Sequence, residues 1–319
     1  MSDQEKSEPD FKLPPYNYEL PRYREIRSED PVRTKKPPNP KVNLILFILT
    51  VFSTLLAGAY LEGYDPFIDF RYITKGFPFA FTLLLIIGFH EFGHYFMCKR
   101  HGVPATLPYF IPAPPPIFLI GTLGAVIKIR APITNSKSLF DIGAAGPIAG
   151  FLVTVPAMFI GLKLSYFGPD VMEVGYSLGD PLFMKIAGRI ILGETPAGAD
   201  IYIHSIAFAG WVGLIVTAFN LLPIGQLDGG HIAYALLGKR QVWLGYTCFF
   251  MLFPLMLLWT GWLIIIIIAL LIRIRHPVFM TGNEPVGSAR KLIGFICLII
   301  FIISFIPVPF KGMGLLNLF

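Results

Sequence analysis

Charge is scarce in this chain: Asp, Glu, Lys and Arg make up 14% of its 319 residues. That share, beside 54% apolar residues, excludes an ordinary soluble domain, in which about a quarter of residues are charged. Cysteine is nearly absent as well. Cys98, Cys248 and Cys297 lie scattered in or beside apolar runs, which excludes a disulfide framework or a Cys-x-x-Cys pair and leaves each as a small buried hydrophobe. There is no internal repeat. No loop is long enough for an independent folded domain, the longest covering about residues 167–203. The N-terminal segment lacks the apolar stretch of a secretory signal, its first apolar run starting only after residue 41.

What the chain has instead is long apolar runs. Those at 42–62, 77–99, 142–166, 204–223 and 291–308 match the length needed to cross roughly 30 Å of hydrocarbon. The stretch 241–275 reads as a helical hairpin turning at Trp259-Thr260-Gly261. The fold expected is an all-α polytopic membrane protein of six to seven transmembrane helices. Its segments are a disordered basic tail (1–41), a first span with its external loop (42–76), a membrane core (77–240) and C-terminal transmembrane helices (241–319).

Loop charge sets the orientation. Residues 1–41 hold nine of the 26 Lys and Arg, which places the N-terminus in the cytoplasm. The tail either lies against anionic headgroups or is a linker without a partner; no nucleic-acid partner is expected. Residues 63–76 carry two acids and two bases and fall outside. Lys99 and Arg100 return to the cytoplasm, and Asp170, Glu173, Asp180, Glu194 and Asp200 outweigh Lys185 and Arg189 on the next external loop. Lys239, Arg240, Arg273, Arg275, Arg290 and Lys291 fall back on the cytoplasmic side. The alternation favours seven spans, in what is expected to be a prokaryotic cell membrane.

Residues 103–140 fit neither loop nor span. Pro104, Pro108, Pro112 and Pro114-Pro115-Pro116 exclude a continuous helix. In Ile127-Lys128-Ile129-Arg130 apolar and basic residues alternate, as in a half-buried strand. The segment reads as a small β-hairpin between the second and third spans. It either dips into the membrane face, where protein or a wet cavity must cover its backbone, or is an ordinary surface hairpin.

The sharpest motif is His90-Glu91-Phe92-Gly93-His94 on the second span. Residues four apart share a helix face, so both imidazoles can reach one zinc ion, with Glu91 beside them to take a proton from the attacking water. Glu91 lies about nine residues, roughly 13 Å of helix, from the interface marked by Arg100. Ionisable groups at such depth cost a few kcal/mol each, and zinc ligation supplies on the order of 10 kcal/mol against that. The alternative is two histidines and a glutamate satisfied by neighbouring helices.

Zinc needs a third protein ligand. Cys98 is a rise of about 12 Å from His90, and His101 is further still. The metzincin spacing fails, because Met97 and Arg100 stand where that pattern has glycine and histidine. Asp228 is the best donor. It follows Asn220-Leu221-Leu222-Pro223-Ile224-Gly225-Gln226-Leu227, where Pro223 and Gly225 break the helix, and precedes Gly229-Gly230, which let backbone approach closely. Two other readings stay open: Asp228 as the cap of a helix over 231–237, and His231 as a competing ligand.

At these two segments the chain resembles the site-2 protease family of intramembrane zinc metalloproteases, over roughly residues 77–240. His90-Glu91-x-x-His94 corresponds to the family's H-E-x-x-H, and Asn220 to Gly230 to its Asn-x-x-Pro-x-Pro-x-Leu-Asp-Gly-Gly, with Gly225 at the second proline. Gly121-Thr122-Leu123-Gly124 and Ala145-Gly146-Pro147 are similar to its membrane-associated strand and following helix. The resemblance implies one zinc ion held by His90, His94 and Asp228, Glu91 as general base, and Asn220 assisting near the substrate. Many members of that family carry PDZ domains in a loop or CBS domains after the core; the loop and tail lengths here leave room for neither, so a minimal form is expected.

The expected reaction is hydrolysis of peptide bonds within or near transmembrane segments of membrane-protein substrates, from a site near the cytoplasmic side. A helical substrate must unwind to expose its carbonyls, and strand 121–130 is placed to pair with the unwound segment. Gly121, Gly124 and Val126 are the candidate contacts there. The rival readings are a zinc or other cation transporter, against which the absent repeat and the Glu91 spacing argue, and a catalytically inactive membrane scaffold.

Overall fold

The computed structural model describes residues 39–115, 118–133, 135–169, 177–271 and 285–311. The expectations that fall on the tail before residue 39, on Asp170, Glu173, Arg273 and Arg275, and on Pro116 lie outside the described residues.

The chain is mostly helical. Helix α1 covers Pro40–Leu61, with Pro40 in its first turn and the Asn39 side chain accepting from the Lys41 amide at 3.1 Å, a cap that supplies one amide with the partner the helix cannot offer. A 3₁₀ turn over Phe70–Gly76 leads into α2, Phe77–Arg100. Lys99 and Arg100 complement the negative end of α2. Helix α3, Ser136–Leu164, begins six residues before the apolar run expected at 142. The earlier start comes from Asn135, whose side chain accepts from the Ser138 amide at 2.8 Å and caps a polar turn that hydropathy alone cannot see.

The segment between α3 and the next apolar helix carries more structure than a bare loop. Strands Tyr166–Pro169 and Ala199–Tyr202 pair antiparallel, with helix α4, Leu182–Ile191, between them. Helix α5, Ser205–Asn220, is followed by α6, Asp228–Leu237. Helices α7, Gln241–Leu258, and α8, described from Trp262 to Leu271, form the expected hairpin around Trp259-Thr260-Gly261. Helix α9 covers Ser288–Ser304. Among the described residues four helical stretches are long and apolar enough to cross a membrane: Pro40–Leu61, Phe70–Arg100, Ser136–Leu164 and Asp228–Leu258.

Helices α2, α3 and α5 build the core beside the metal-ligand motif. Phe79, Leu83 and Ile87 of α2 pack with Met158 and Leu162 of α3 and with Phe208, Trp211 and Leu214 of α5. Small residues let the axes approach. A side chain at Gly93 would meet the Ala145 carbonyl at 2.6 Å, and Gly161 lies directly on Ala207. Packing through glycine and alanine is how helices associate where lipid removes the hydrophobic drive.

A small two-stranded sheet lies between α2 and α3, and its second strand falls within the expected 121–130. Strand β1, Tyr109–Pro112, pairs antiparallel with β2, Thr122–Val126, with a register irregularity between Phe110 and Pro112. The stretch 127–130 alternates in burial as expected, and backbone bonding resumes there through Thr106 N to Lys128 O (3.1 Å) and Arg130 N to Pro104 O (2.8 Å). The hairpin runs along α1. The buried Asn43 amide donates to the carbonyls of Leu107 and Pro108, each at 2.9 Å, and ten residues further along α1 the Ser53 hydroxyl donates to Gly121 O at 2.7 Å. The non-helical backbone is therefore covered by protein on that side.

Candidate metal centre

His90 and His94 lie one turn apart on α2 and are almost wholly buried, at 4% and 6% exposure. Their Nε2 atoms stand 3.2 Å apart. Asp228 comes from the first turn of α6 and puts Oδ2 3.3 Å from each of them. The chain reaches this arrangement through the break after α5. Gly225 adopts a positive φ of 54° and turns the chain back, and Gly229 and Gly230 press onto the carbonyls of Leu221 and Gly225, where any side chain would collide. Leu227 occupies the cap position of α6 and offers no side-chain bond to it. The Asp228 carboxylate faces the imidazoles, so the capping alternative does not hold.

The donor set fits a zinc ion. Three ligand atoms at about 2.0–2.1 Å from a tetrahedral centre stand roughly 3.3 Å from one another, and the observed edges are 3.2, 3.3 and 3.3 Å. Hydrogen bonding supports the same reading. His94 Nδ1 lies 2.7 Å from the Ile142 carbonyl, which accepts its proton and leaves the Nε2 lone pair pointing at a carboxylate oxygen. With the ring neutral these are two acceptors face to face, which a shared metal cation joins; with Nε2 protonated they form an ion pair. Such a bond at the far nitrogen is the usual way a metal-bound imidazole is oriented.

Asn220, the last residue of α5, places its amide nitrogen 3.3 Å from His90 Nε2, so it adjoins the ligands. Glu91 is buried at 8% exposure, and the Ile127 backbone amide, just past β2, faces its carboxylate. Gly121 serves the packing of the hairpin: its φ is 76°, and a side chain there would meet the Ser53 carbonyl at 2.5 Å. Gly124, with φ of 95°, has open space where a side chain would go, and Val126 is half exposed. His231 is not part of the ligand cluster among the described residues; its Cβ lies 2.8 Å from where a Gly143 side chain would start. Cys98, Cys248 and Cys297 are free thiols, the first and last buried.

Sequence reasoning missed the helix behind the histidines. Gly146 of α3 lies directly against the His94 imidazole, and Gly150 would place a Cβ 3.2 Å from that of His90. A G-x-x-x-G on α3 thus matches the H-x-x-x-H on α2 turn for turn. The signal was present in the spacing. The Ile142 carbonyl could not be found in that way, because every residue carries one.

Comparison with known proteins agrees with this geometry. The chain is 33% identical over 223 residues to a probable zinc metalloprotease EGY1, chloroplastic, of Oryza sativa subsp. japonica, an alignment covering 62% of this chain and 38% of that protein. It is 30% identical over 300 residues to the Arabidopsis thaliana protein of the same description, covering 84% of this chain and 53% of that one. The chain thus spans about half the length, or less, of these curated relatives. No solved structure matches it. The model of peptidase family M50 matches residues 78–258, more than half of the chain, and that stretch contains both histidines, Glu91, Asn220 and Asp228. With its ligand triangle inside the matched segment, the chain belongs to peptidase family M50, the site-2 protease family.

Proposed function

We propose that this protein is an intramembrane zinc metalloprotease, hydrolysing peptide bonds within or near transmembrane segments of membrane-protein substrates. The observation that carries the reading is the triangle of His90 Nε2, His94 Nε2 and Asp228 Oδ2 with Glu91 beside it on the same helix. His90, His94 and Asp228 would hold one zinc ion. When bound, zinc supplies Lewis acidity that acidifies water and polarises a carbonyl oxygen. Glu91 takes the proton of the attacking water and hands it to the leaving amine. The Asn220 amide, beside His90, is a donor for the carbonyl oxygen of the bond being cut.

Strand β2 supplies the substrate platform. It pairs with β1 on one edge, and no third strand joins that sheet among the described residues. An unwound substrate segment adds to the other edge near Gly124 and Val126, with Gly121 keeping the hairpin on α1. The six to seven spans, the division into tail, first span, core and C-terminal helices, the cytoplasmic N-terminus and the site near the cytoplasmic face belong to this proposal; the first two rest on the apolar runs and the last two on loop charge. The prokaryotic cell-membrane location also belongs to it, and the relatives, named as chloroplastic proteins, lend it no support.

The test is Glu91→Gln in the full chain with a model transmembrane substrate. The variant is expected to keep zinc and lose cleavage. Cleavage at the wild-type rate overturns the reading, as does a wild-type protein that binds no zinc.

A further inference from the structure

Behind the metal ligands lies a polar network that the proposed reaction does not use. Asp141 of α3 accepts from Arg290 of α9 through both carboxylate oxygens, Nε to Oδ1 at 2.8 Å and Nη2 to Oδ2 at 2.7 Å. Its Oδ2 also lies 2.9 Å from His101 Nε2, at the end of α2. A two-pronged guanidinium–carboxylate pair is stronger and more directional than a single bond, and these three side chains are only 16–29% exposed. Arg290 is held in turn, since its Nη1 donates to the Val286 carbonyl at 3.3 Å and Val286 is buried with Phe140 and Ala144 of α3.

The next residue is the one that matters to the site. The Ile142 carbonyl, one peptide unit from Asp141, lies 2.7 Å from His94 Nδ1. Five residues further on, Pro147 has no amide to bond the Gly143 carbonyl, so this stretch of α3 is less restrained by its own helix than a regular one. Bonds from outside to the neighbouring Asp141 side chain add a restraint on this turn, and with it on the Ile142 carbonyl. Arg290 and His101 provide them, from helices on either side. Arg290 lies beyond the matched segment 78–258.

We infer that Asp141, clamped between Arg290 and His101, is a positioning residue for the metal site, fixing the turn of α3 whose Ile142 carbonyl orients His94. The inference rests on the zinc reading above. It assigns to α9 a role at the metal centre exercised through the clamp.

The full-length protein carries the test, as wild type, Asp141→Asn, Arg290→Gln, Arg290→Lys and the double variant Asp141→Asn/Arg290→Gln. Zinc affinity is measured by chelator competition well below each protein's unfolding temperature, and the visible spectrum of the Co²⁺-substituted protein reports ligand geometry. Asp141→Asn and Arg290→Gln are each expected to weaken zinc about tenfold, the low end for groups that orient a metal ligand, and to shift the Co²⁺ bands. Arg290→Lys keeps the charge without the fork and should fall between them and wild type, remaining informative if the other variants fold poorly. The double variant should be no worse than either single one, as expected for residues acting as a unit. A lowered unfolding temperature with unchanged zinc affinity and Co²⁺ spectrum means a purely structural role and overturns the inference while leaving the protease reading intact. A wild-type protein without zinc overturns both.

Discussion

Gly146 lies against the His94 imidazole so closely that no side chain fits between α3 and the ring. The histidine rotamer is thus set from two sides, by a missing Cβ on one and by the Ile142 carbonyl at 2.7 Å on the other. Gly146→Ala must push either the ring or the helix aside. We expect it to reduce zinc retention after chelator dialysis by at least about tenfold and to lower cleavage in proportion. Gly150→Ala meets His90 Cβ at 3.2 Å, a gap that a shift of a few tenths of an ångström relieves, so its effect should be several-fold at most. Equal effects of the two substitutions, read by metal analysis, would contradict this account of α3.

Asp228 differs from the histidines in bringing charge as well as a donor atom. Asp228→Asn keeps the size of the side chain but loses the anion that faces two imidazoles at 3.3 Å. Zinc affinity should drop by more than the roughly 10–100-fold seen when a group that only orients a ligand is lost. Removing zinc from the wild-type protein with a chelator should abolish cleavage and lower the unfolding temperature, because a ligand that binds only the folded state stabilises it. Zinc should restore both, and Asp228→Asn should show neither response at zinc concentrations that saturate wild type. A wild-type unfolding temperature unmoved by chelation would speak against the triangle as a metal site.

Much of this was legible in the sequence because the bilayer imposes simple constraints. Long apolar runs had to be helices, and α1 and α2 lie within about two residues of where those runs stand, while α7 starts where its run was expected to start. His90, Glu91 and His94 were legible because fixed spacing on one helix is itself geometry. Asp228 needed the break at Pro223 and Gly225 to be read as a turn back toward the core. The strand expected over 121–130 is regular only at Thr122–Val126, although the clearest alternation is at Ile127 to Arg130, where the pairing continues through an isolated bridge. The clamp of Asp141 and Arg290 joins residues 149 apart, a distance at which one sequence gives no sign of pairing.

The Ile127 amide of the hairpin faces the Glu91 carboxylate. Ile127→Pro removes that donor, whereas Ile129→Pro falls at the isolated bridge between Ile129 and Ala105, further from the glutamate. Both should leave zinc content unchanged, since neither residue touches a ligand. Cleavage should fall by at least about tenfold for Ile127→Pro, a loss of roughly 1.4 kcal/mol in transition-state stabilisation, and less for Ile129→Pro. Normal cleavage by Ile127→Pro, measured with a model transmembrane substrate, would remove the hairpin from the reaction.

The hairpin can position Glu91 or a substrate only if α1 holds it still, and three side-chain hydrogen bonds do that from α1. Asn43 bonds two successive carbonyls, and Ser53 bonds the Gly121 carbonyl. Asn43→Ala leaves Leu107 and Pro108 without that donor, a cost of about 1–3 kcal/mol for each buried group left unpaired. Gly121→Ala adds a side chain where φ is 76° and the Ser53 carbonyl is 2.5 Å away, so the strand must lift from α1. The two substitutions act at positions ten residues apart on α1, about 15 Å of helix, and neither is near His90, His94 or Asp228. Both should therefore reduce cleavage several-fold with full zinc occupancy and an unaltered Co²⁺ spectrum. Loss of zinc in either variant would mean that α1 supports the metal site directly, and the hairpin's separate role as a substrate platform would have to be given up.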